Sequence, residues 1–365
     1  MKIAYFTLGD TSHDNLFVTS LLETEHEIGI FGFVGWSGKW LEWLLPKRNN
    51  NFIENMFRMP RQVHNVQNSI SEFKPDVVHA GPLHGTAFRV ALSGFRPLVV
   101  LSWGSDLMQE AERNLIMRWM TRFVLKRTDV LCGDSKCILD KAKKFGFNGP
   151  YYQFPWGVDL EYFSPGIFTG LRERLGWQEN TVFVSVRSHE VLFDIDCIVK
   201  AFILAEKERP EIRLLIYGGG SRTQILRDYL KDAGVLHKTY FGGRVGAERI
   251  REAYQSADLY LAATHSDGAS VSLLEAMACS LPALVSNIPG NSEWIVPGEN
   301  GWLYEVGNAE ALARYMVKFD KDSPEVKKIQ QQNRILAEER ADWSKNFPVL
   351  LQAYEKAIML QKGKA

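Results

Sequence analysis

The 365-residue sequence carries no net charge, since 43 Lys and Arg balance 43 Asp and Glu. That excludes a nucleic-acid protein relying on global positive charge and an acidic disordered scaffold. Cysteine is scarce: the four, Cys132, Cys137, Cys197 and Cys279, form no C-x-x-C pair. A disulfide framework or structural zinc site is therefore not expected, and the chain reads as a protein of a reducing compartment. No run of about 18 apolar residues occurs, so no membrane-spanning segment is expected. The opening apolar run, Ile3 to Leu8, is closed by Asp10 and is too short for a signal peptide, so no leader is expected. No low-complexity tract or short-period repeat is present. The bulk, 45% hydrophobic and 24% charged, is ordinary globular material, enough for two cores.

Short apolar runs alternate with amphipathic stretches from end to end. Strands are expected at 2–7, 27–34, 76–80, 98–103, 129–132 and 151–154, and again at 182–187, 213–217, 239–242, 258–262 and 283–286. Helices are expected at 110–126, 135–145, 195–207, 221–233, 247–255 and 271–279. Such alternation means parallel sheets covered on both faces. The segment Pro155 to Gly166, with two prolines and two glycines, reads as a join. The expected architecture is α/β: residues 1–168 and 169–342 as two doubly wound Rossmann-like domains facing across a cleft. The stretch 343–365 is expected to return to the first domain, because Trp343, Phe347, Leu350, Leu351, Tyr354 and Ile358 recur at helical spacing. Pro348 predicts a kink or a fresh helix start.

The most informative stretch is Ser266-Asp267-Gly268-Ala269-Ser270-Val271-Ser272-Leu273-Leu274-Glu275. Here a strand leads through a loop into a helix whose first N–H groups suit an anion. Gly268 permits close approach of a ligand to the backbone. Glu275, a turn inside, suits the two hydroxyls of a vicinal diol such as ribose, and Asp267 suits a sugar at the loop mouth. The plainer readings are a solvated Glu275 and a capping Asp267. Tyr217-Gly218-Gly219-Gly220 is either a flexible strand exit or a phosphate contact through Gly218. Asp194-x-Asp196 opens a helix and reads as capping, not as a metal site. No pair among His13, His79, His84 and His265 has zinc spacing, so no metal is expected.

The order Asp267-Gly268-x(6)-Glu275-Ala276-Met277-Ala278-Cys279, then Leu281-Pro282, Gly290-x-x-Glu293 and Gly298-Glu299-Asn300-Gly301, resembles the donor site of family 4 retaining glycosyltransferases of GT-B fold. Pro75-Asp76-Val77-Val78-His79, Trp103-Gly104-Ser105-Asp106 and Gly157-Val158-Asp159 with Phe163 and Pro165 resemble the family's other motifs in register. The resemblance implies transfer of a hexosyl group from a nucleotide-diphosphate-sugar to a saccharide or lipid-linked acceptor, with retention and with neither metal nor cofactor. It implies that the first domain binds acceptor and the second donor. Glu275 would bind ribose and Asp267 the transferred sugar. The segment Gly268, Ala269, Ser270 and Val271, with Gly9, would meet sugar and diphosphate, and Arg187 would neutralise the diphosphate. Trp103 and Asp106 would face the acceptor. Alternatives are a GT-B nucleotide-sugar epimerase and an inactive glycosyltransferase-like binding protein.

Three departures stand out. No Lys follows Arg187 within the next nine residues, leaving His189 or Arg222 as substitute cations. Trp103 replaces the family's His, and Leu8-Gly9-Asp10 replaces its Gly-Gly. Two basic stretches, Arg113–Lys144 and Trp36–Arg61, the latter interleaved with Trp36, Trp40, Trp43, Phe52 and Phe57, are either a core stripe and a solvated face or a patch for a membrane surface or lipid-linked acceptor. The expected setting is cytoplasmic, with peripheral association at the inner membrane face as an extension. Nucleic acid is not an expected partner.

Overall fold

A computed structural model describes residues 1–7, 12–32, 52–166 and 169–363. It divides into two compact units, one of Met1–Phe154 with Phe347–Ala365, the other Pro155–Asn346. The sequence expectation placed the boundary at 168. The chain instead leaves the first unit at Phe154, directly after its last strand, and the Pro- and Gly-containing join belongs to the second.

The first unit holds strands β1 (Lys2–Phe6), β2 (Glu27–Phe31), β3 (Val77–Ala80), β4 (Leu98–Leu101), β5 (Val130–Gly133) and β6 (Tyr151–Gln153). All pairs are parallel, in the order β2-β1-β3-β4-β5-β6. The four residues each of β3, β4 and β5 are buried throughout, which is why they read as continuous apolar runs. The final helix, Trp343–Lys362, is one element with Pro348 inside it, so no fresh helix starts there. Its Tyr354 is fully buried, and its hydroxyl lies 2.7 Å from Nδ1 of His79 on β3. Its Gln361 donates to Asp129 at 2.6 Å. Burial takes the His79 pKa down to about 3, so the imidazole is a neutral hydrogen-bonding group.

The second unit holds β7 (Thr181–Ser185), β8 (Ile212–Tyr217), β9 (Thr239–Gly243), β10 (Leu259–Ala262), β11 (Ala283–Ser286) and β12 (Gly301–Tyr304). These are parallel in the order β12-β11-β10-β7-β8-β9. Alternate side chains serve two cores. Val182, Val184, Leu215 and Tyr217 join Tyr254, Tyr260, Leu273 and Met277 on one face. Phe183, Leu214 and Ile216 join Phe202, Leu226 and Leu312 on the other. The strand order reverses at β7 and β10, two neighbours in the sheet that are far apart in sequence. In open parallel sheets ligands bind outside the carboxyl ends of strands at such a switch point.

Candidate functional site in the second unit

Arg187 stands two residues beyond β7, and the loop 263–270 leaves β10 beside it. Its Nη2 meets Oδ2 of Asp267 at 2.5 Å, and its Nη1 donates to Ser270 Oγ at 2.7 Å and Ser272 Oγ at 3.1 Å. The guanidinium also lies 4.3 Å over the ring of Phe193. Burial opposes its charge, but Asp267, together with Tyr260 and Tyr254, outweighs that and the pKa is raised. A cation held from two sides and stacked on a ring has lost most of its rotamer freedom, which is the condition for electrostatic preorganisation.

The helix Val271–Ala278 starts at Ser270, whose hydroxyl is engaged with Arg187 and with Ser272 Oγ at 3.1 Å, and no side chain caps the helix. Its first N–H groups therefore keep the anion-attracting character of a helix start. Ala269 and Ser270 are buried. The N–H of Gly268 donates to its neighbour Asp267 at 3.0 Å. Glu275, one turn in, is half-buried, and its Oε2 accepts the Tyr254 hydroxyl at 3.0 Å. Burial pushes its carboxyl up to about 7, although the Tyr254 hydrogen bond and Arg187 both pull it down. Tyr260 completes the wall, its hydroxyl 2.8 Å from Ser272 Oγ.

Glycines set the close approaches. A Cβ on Gly290 would lie 2.1 Å from the Gly268 carbonyl oxygen, so the Pro289–Ser292 turn presses directly on the loop after β10. Gly218 has φ +109°, and a Cβ there would lie 2.4 Å from the Arg187 carbonyl oxygen. Its N–H is spent on Gly243 at 2.8 Å. Gly218 therefore packs the Arg187 strand end, with its N–H engaged by the neighbouring strand.

The two substitute cations are otherwise engaged. Arg222 is paired with Asp196, Nε to Oδ2 at 2.6 Å. His189 is buried, its Nδ1 2.8 Å from Thr223 Oγ1, and burial lowers its pKa, so it is neutral. Asp194 adopts φ +44° and caps the helix Ile195–Glu206 through the Cys197 N–H. Exposed Arg244 lies on the glycine turn, donating to the Gly219 carbonyl at 3.0 Å.

In the first unit, half-buried Trp103 stands two residues beyond β4. Asp106 is 4% exposed and accepts from Leu83 N at 2.9 Å, Ser102 Oγ at 2.6 Å and Leu107 N at 2.8 Å. That carboxylate locks the loops after β3 and β4 together. Gly9 and the Trp36, Trp40 and Trp43 group lie outside the described residues.

Tyr254, Tyr260, Phe193 and Ser272 were not singled out from sequence. Their partners come from elements packed in space, and no local signal marks them.

Comparison with known proteins places this geometry. The profile described as "Glycosyl transferases group 1" matches residues 171–336, and "Glycosyl transferase 4-like" matches 57–135. The chain is 33% identical over 126 residues to the GtfA subunit of a UDP-N-acetylglucosamine–peptide N-acetylglucosaminyltransferase from Streptococcus parasanguinis, covering 34% of this chain and 24% of that one. It is 28% identical over 184 residues to the putative glycosyltransferase EpsD of Bacillus subtilis, covering 49% and 47%. The matches thus span between a quarter and a half of the length of these relatives. Among solved structures, HepE of Anabaena with UDP-glucose superposes with TM-score 0.76 at 15% identity, covering 99% of this chain and 100% of that one. Sucrose-phosphate synthase of Thermosynechococcus elongatus does so with TM-score 0.79 at 16% identity, covering 98% of each. The fold is that of the GT-B glycosyltransferases, and residues 171–336 match the glycosyl transferases group 1 family.

Proposed function

We propose that this protein transfers a sugar from a nucleotide-diphosphate-sugar to a saccharide or lipid-linked acceptor, with retention of anomeric configuration and without a metal. The observation that carries the reading is Arg187, fixed between Asp267 and the two serines beside an uncapped helix start. As the bond between the anomeric carbon and the diphosphate oxygen breaks, negative charge grows on the diphosphate. Arg187 and the first N–H groups of the Val271–Ala278 helix oppose that charge where it develops. The acceptor oxygen bonds the same face of the anomeric carbon, and its proton passes to the departing phosphate oxygen. Glu275 binds the ribose hydroxyls and Asp267 the transferred sugar. The first unit supplies the acceptor site, with Trp103 in it, and the setting is the cytoplasmic side of a membrane.

The reading draws support from relatives whose names state UDP-N-acetylglucosamine or GDP-mannose as donor, and from HepE, solved with UDP-glucose. The test is a thermal-shift screen of UDP- and GDP-sugars, followed by donor turnover on any hit. A ligand at 100 times its Kd adds about 2.7 kcal/mol. Failure of every nucleotide-sugar to bind or turn over would refute it.

A further inference from the structure

The helix Leu115–Arg127 contains no acidic residue. Thr121, Val124 and Leu125 bury its inner side. Along its outer side run Leu115, Arg118, Trp119, Arg122 and Lys126, at the spacing of one helical face, with Ile116 beside them. Leu115 is 82% exposed, Trp119 55% and Ile116 49%. Three large apolar side chains within the first two turns are more than scattered surface residues, and they share their face with cations only.

The helix is firmly backed. Trp119 stacks on Phe123 with centroids 5.5 Å apart and meets Phe88 edge-on at 5.9 Å. Thr121 Oγ1 lies 2.7 Å from Nε2 of His84 in the turn after β3. The nearest preceding acids are paired elsewhere, Glu110 with Arg113 at 2.8 Å and Glu112 with Lys141 at 2.6 Å; Glu112 also feels Arg118 and Lys144, but cations still outnumber acids along this face. The neighbouring helix Lys136–Lys144 adds exposed Lys136, Lys143 and Lys144 against one exposed acid, Asp140.

We propose that this face docks on an anionic lipid surface. Leu115, Ile116 and Trp119 enter the boundary between headgroups and acyl chains, and Arg118, Arg122 and Lys126 sit on lipid phosphates. A helix with Trp and Leu among cations, and no acid, has the composition of an interfacial helix. The helix packs on the turn after β3, and its amino end lies on the side of the sheet where β3 and β4 end. A lipid-linked acceptor held at the surface would reach the Trp103 loop from there. That purpose rests on the glycosyl-transfer reading, whereas the docking does not.

The test is co-sedimentation of the full chain with vesicles of phosphatidylcholine plus phosphatidylglycerol, and of phosphatidylcholine alone. The wild type is expected on the anionic vesicles, less so on the neutral ones, and to be released as salt rises from about 0.1 to 1 M, where screening shortens from about 10 to 3 Å. The double variant Arg118→Gln, Arg122→Gln should lose about fivefold in partitioning per cation removed. Leu115→Ser with Trp119→Ser should lose binding to both vesicle types. The Arg double should keep the wild-type melting temperature, because its side chains stand in solvent, whereas the apolar double gives up the Trp119 stacking on Phe123 and Phe88 and is compared with wild type below its own melting temperature. No binding of the wild type to anionic vesicles, equal binding to neutral ones, or variants that sediment like wild type would each overturn the proposal. Nucleotide-sugar binding measured on the same proteins separates the two readings: its failure with vesicle binding intact sinks only the transfer reading.

Discussion

The 2.5 Å ion pair between Arg187 and Asp267 joins the end of β7 to the loop after β10, 80 residues further on. Their side chains are 13% and 24% exposed, so the pair is shielded enough to matter and open enough for a ligand to reach. Arg187 Nη1 turns the other way, onto Ser270 and Ser272. The same carboxylate that steadies the cation is the one assigned to the transferred sugar, which makes the two roles separable by substitution.

Asp267→Asn should leave Arg187 held by the two serines while removing the negative charge beside it. Nucleoside diphosphate binding is then unchanged or tighter. Donor turnover falls by the value of a charged hydrogen bond, about 1.5–3 kcal/mol in kcat/KM. Calorimetry with the diphosphate and kinetics with the sugar nucleotide check this. Parallel loss of both would mean that Asp267 acts only by placing Arg187.

Glu275 titrates near pH 7 because burial disfavours its charged form. Its carboxylate is the form that accepts two hydroxyls, so donor KM should fall as pH rises from about 6 to 8, and Glu275→Gln should abolish that dependence. Stability runs the other way. A carboxyl raised above its unfolded value of 4.5 favours the fold below that value, and the contribution is lost as pH rises through about 7. The Gln variant should therefore melt like wild type at pH 5 and higher than wild type at pH 8, by at most about 3 kcal/mol. Melting curves at the two pH values decide it.

Tyr354→Phe should destabilise the first unit by about 1–3 kcal/mol, because the buried His79 Nδ1 loses its hydroxyl partner. Neutral His79 has a folded pKa near 3. Between the unfolded value and about 3 the unfolded chain binds the extra proton, so wild-type stability declines as pH falls from about 6.5. Urea unfolding of both proteins at pH 7 and 5 measures both effects. An unchanged midpoint for the variant would show that the pair carries no net stability.

Arg222→Ala should leave kcat within a few-fold of wild type while lowering the melting temperature, because Arg222 serves Asp196. A drop in kcat on the scale expected for Arg187 would return Arg222 to the diphosphate.

Eleven of the twelve strands among the described residues are legible as apolar runs; the central ones, such as β3, β4 and β5, are so because parallel strands are buried on both faces. Gly301–Tyr304 is not, since a glycine opens it and Trp302 and Leu303 are only half-buried. Arg187, Asp267 and Glu275 were singled out by motif and stand in one region of the second unit. The protein partners of Asp106 and Gly218 are not legible in the sequence, because a loop motif does not say which groups its carboxylate or N–H already meets. Asp106 is consumed by donors up to 23 residues away, and Gly218 by a neighbouring strand. The Tyr254–Glu275 bond is illegible for the same reason, as it depends on how the 247–255 helix packs against the 271–278 helix.

The central claim is that Arg187 stabilises a departing diphosphate. Steady-state kinetics of Arg187→Ala, with the variant's melting temperature as a control, test it most directly. The account predicts a folded protein whose kcat falls by about 10²–10³, equivalent to ~2.7–4 kcal/mol, with a smaller change in donor KM. A folded variant whose kcat stays within a few-fold of wild type would contradict it.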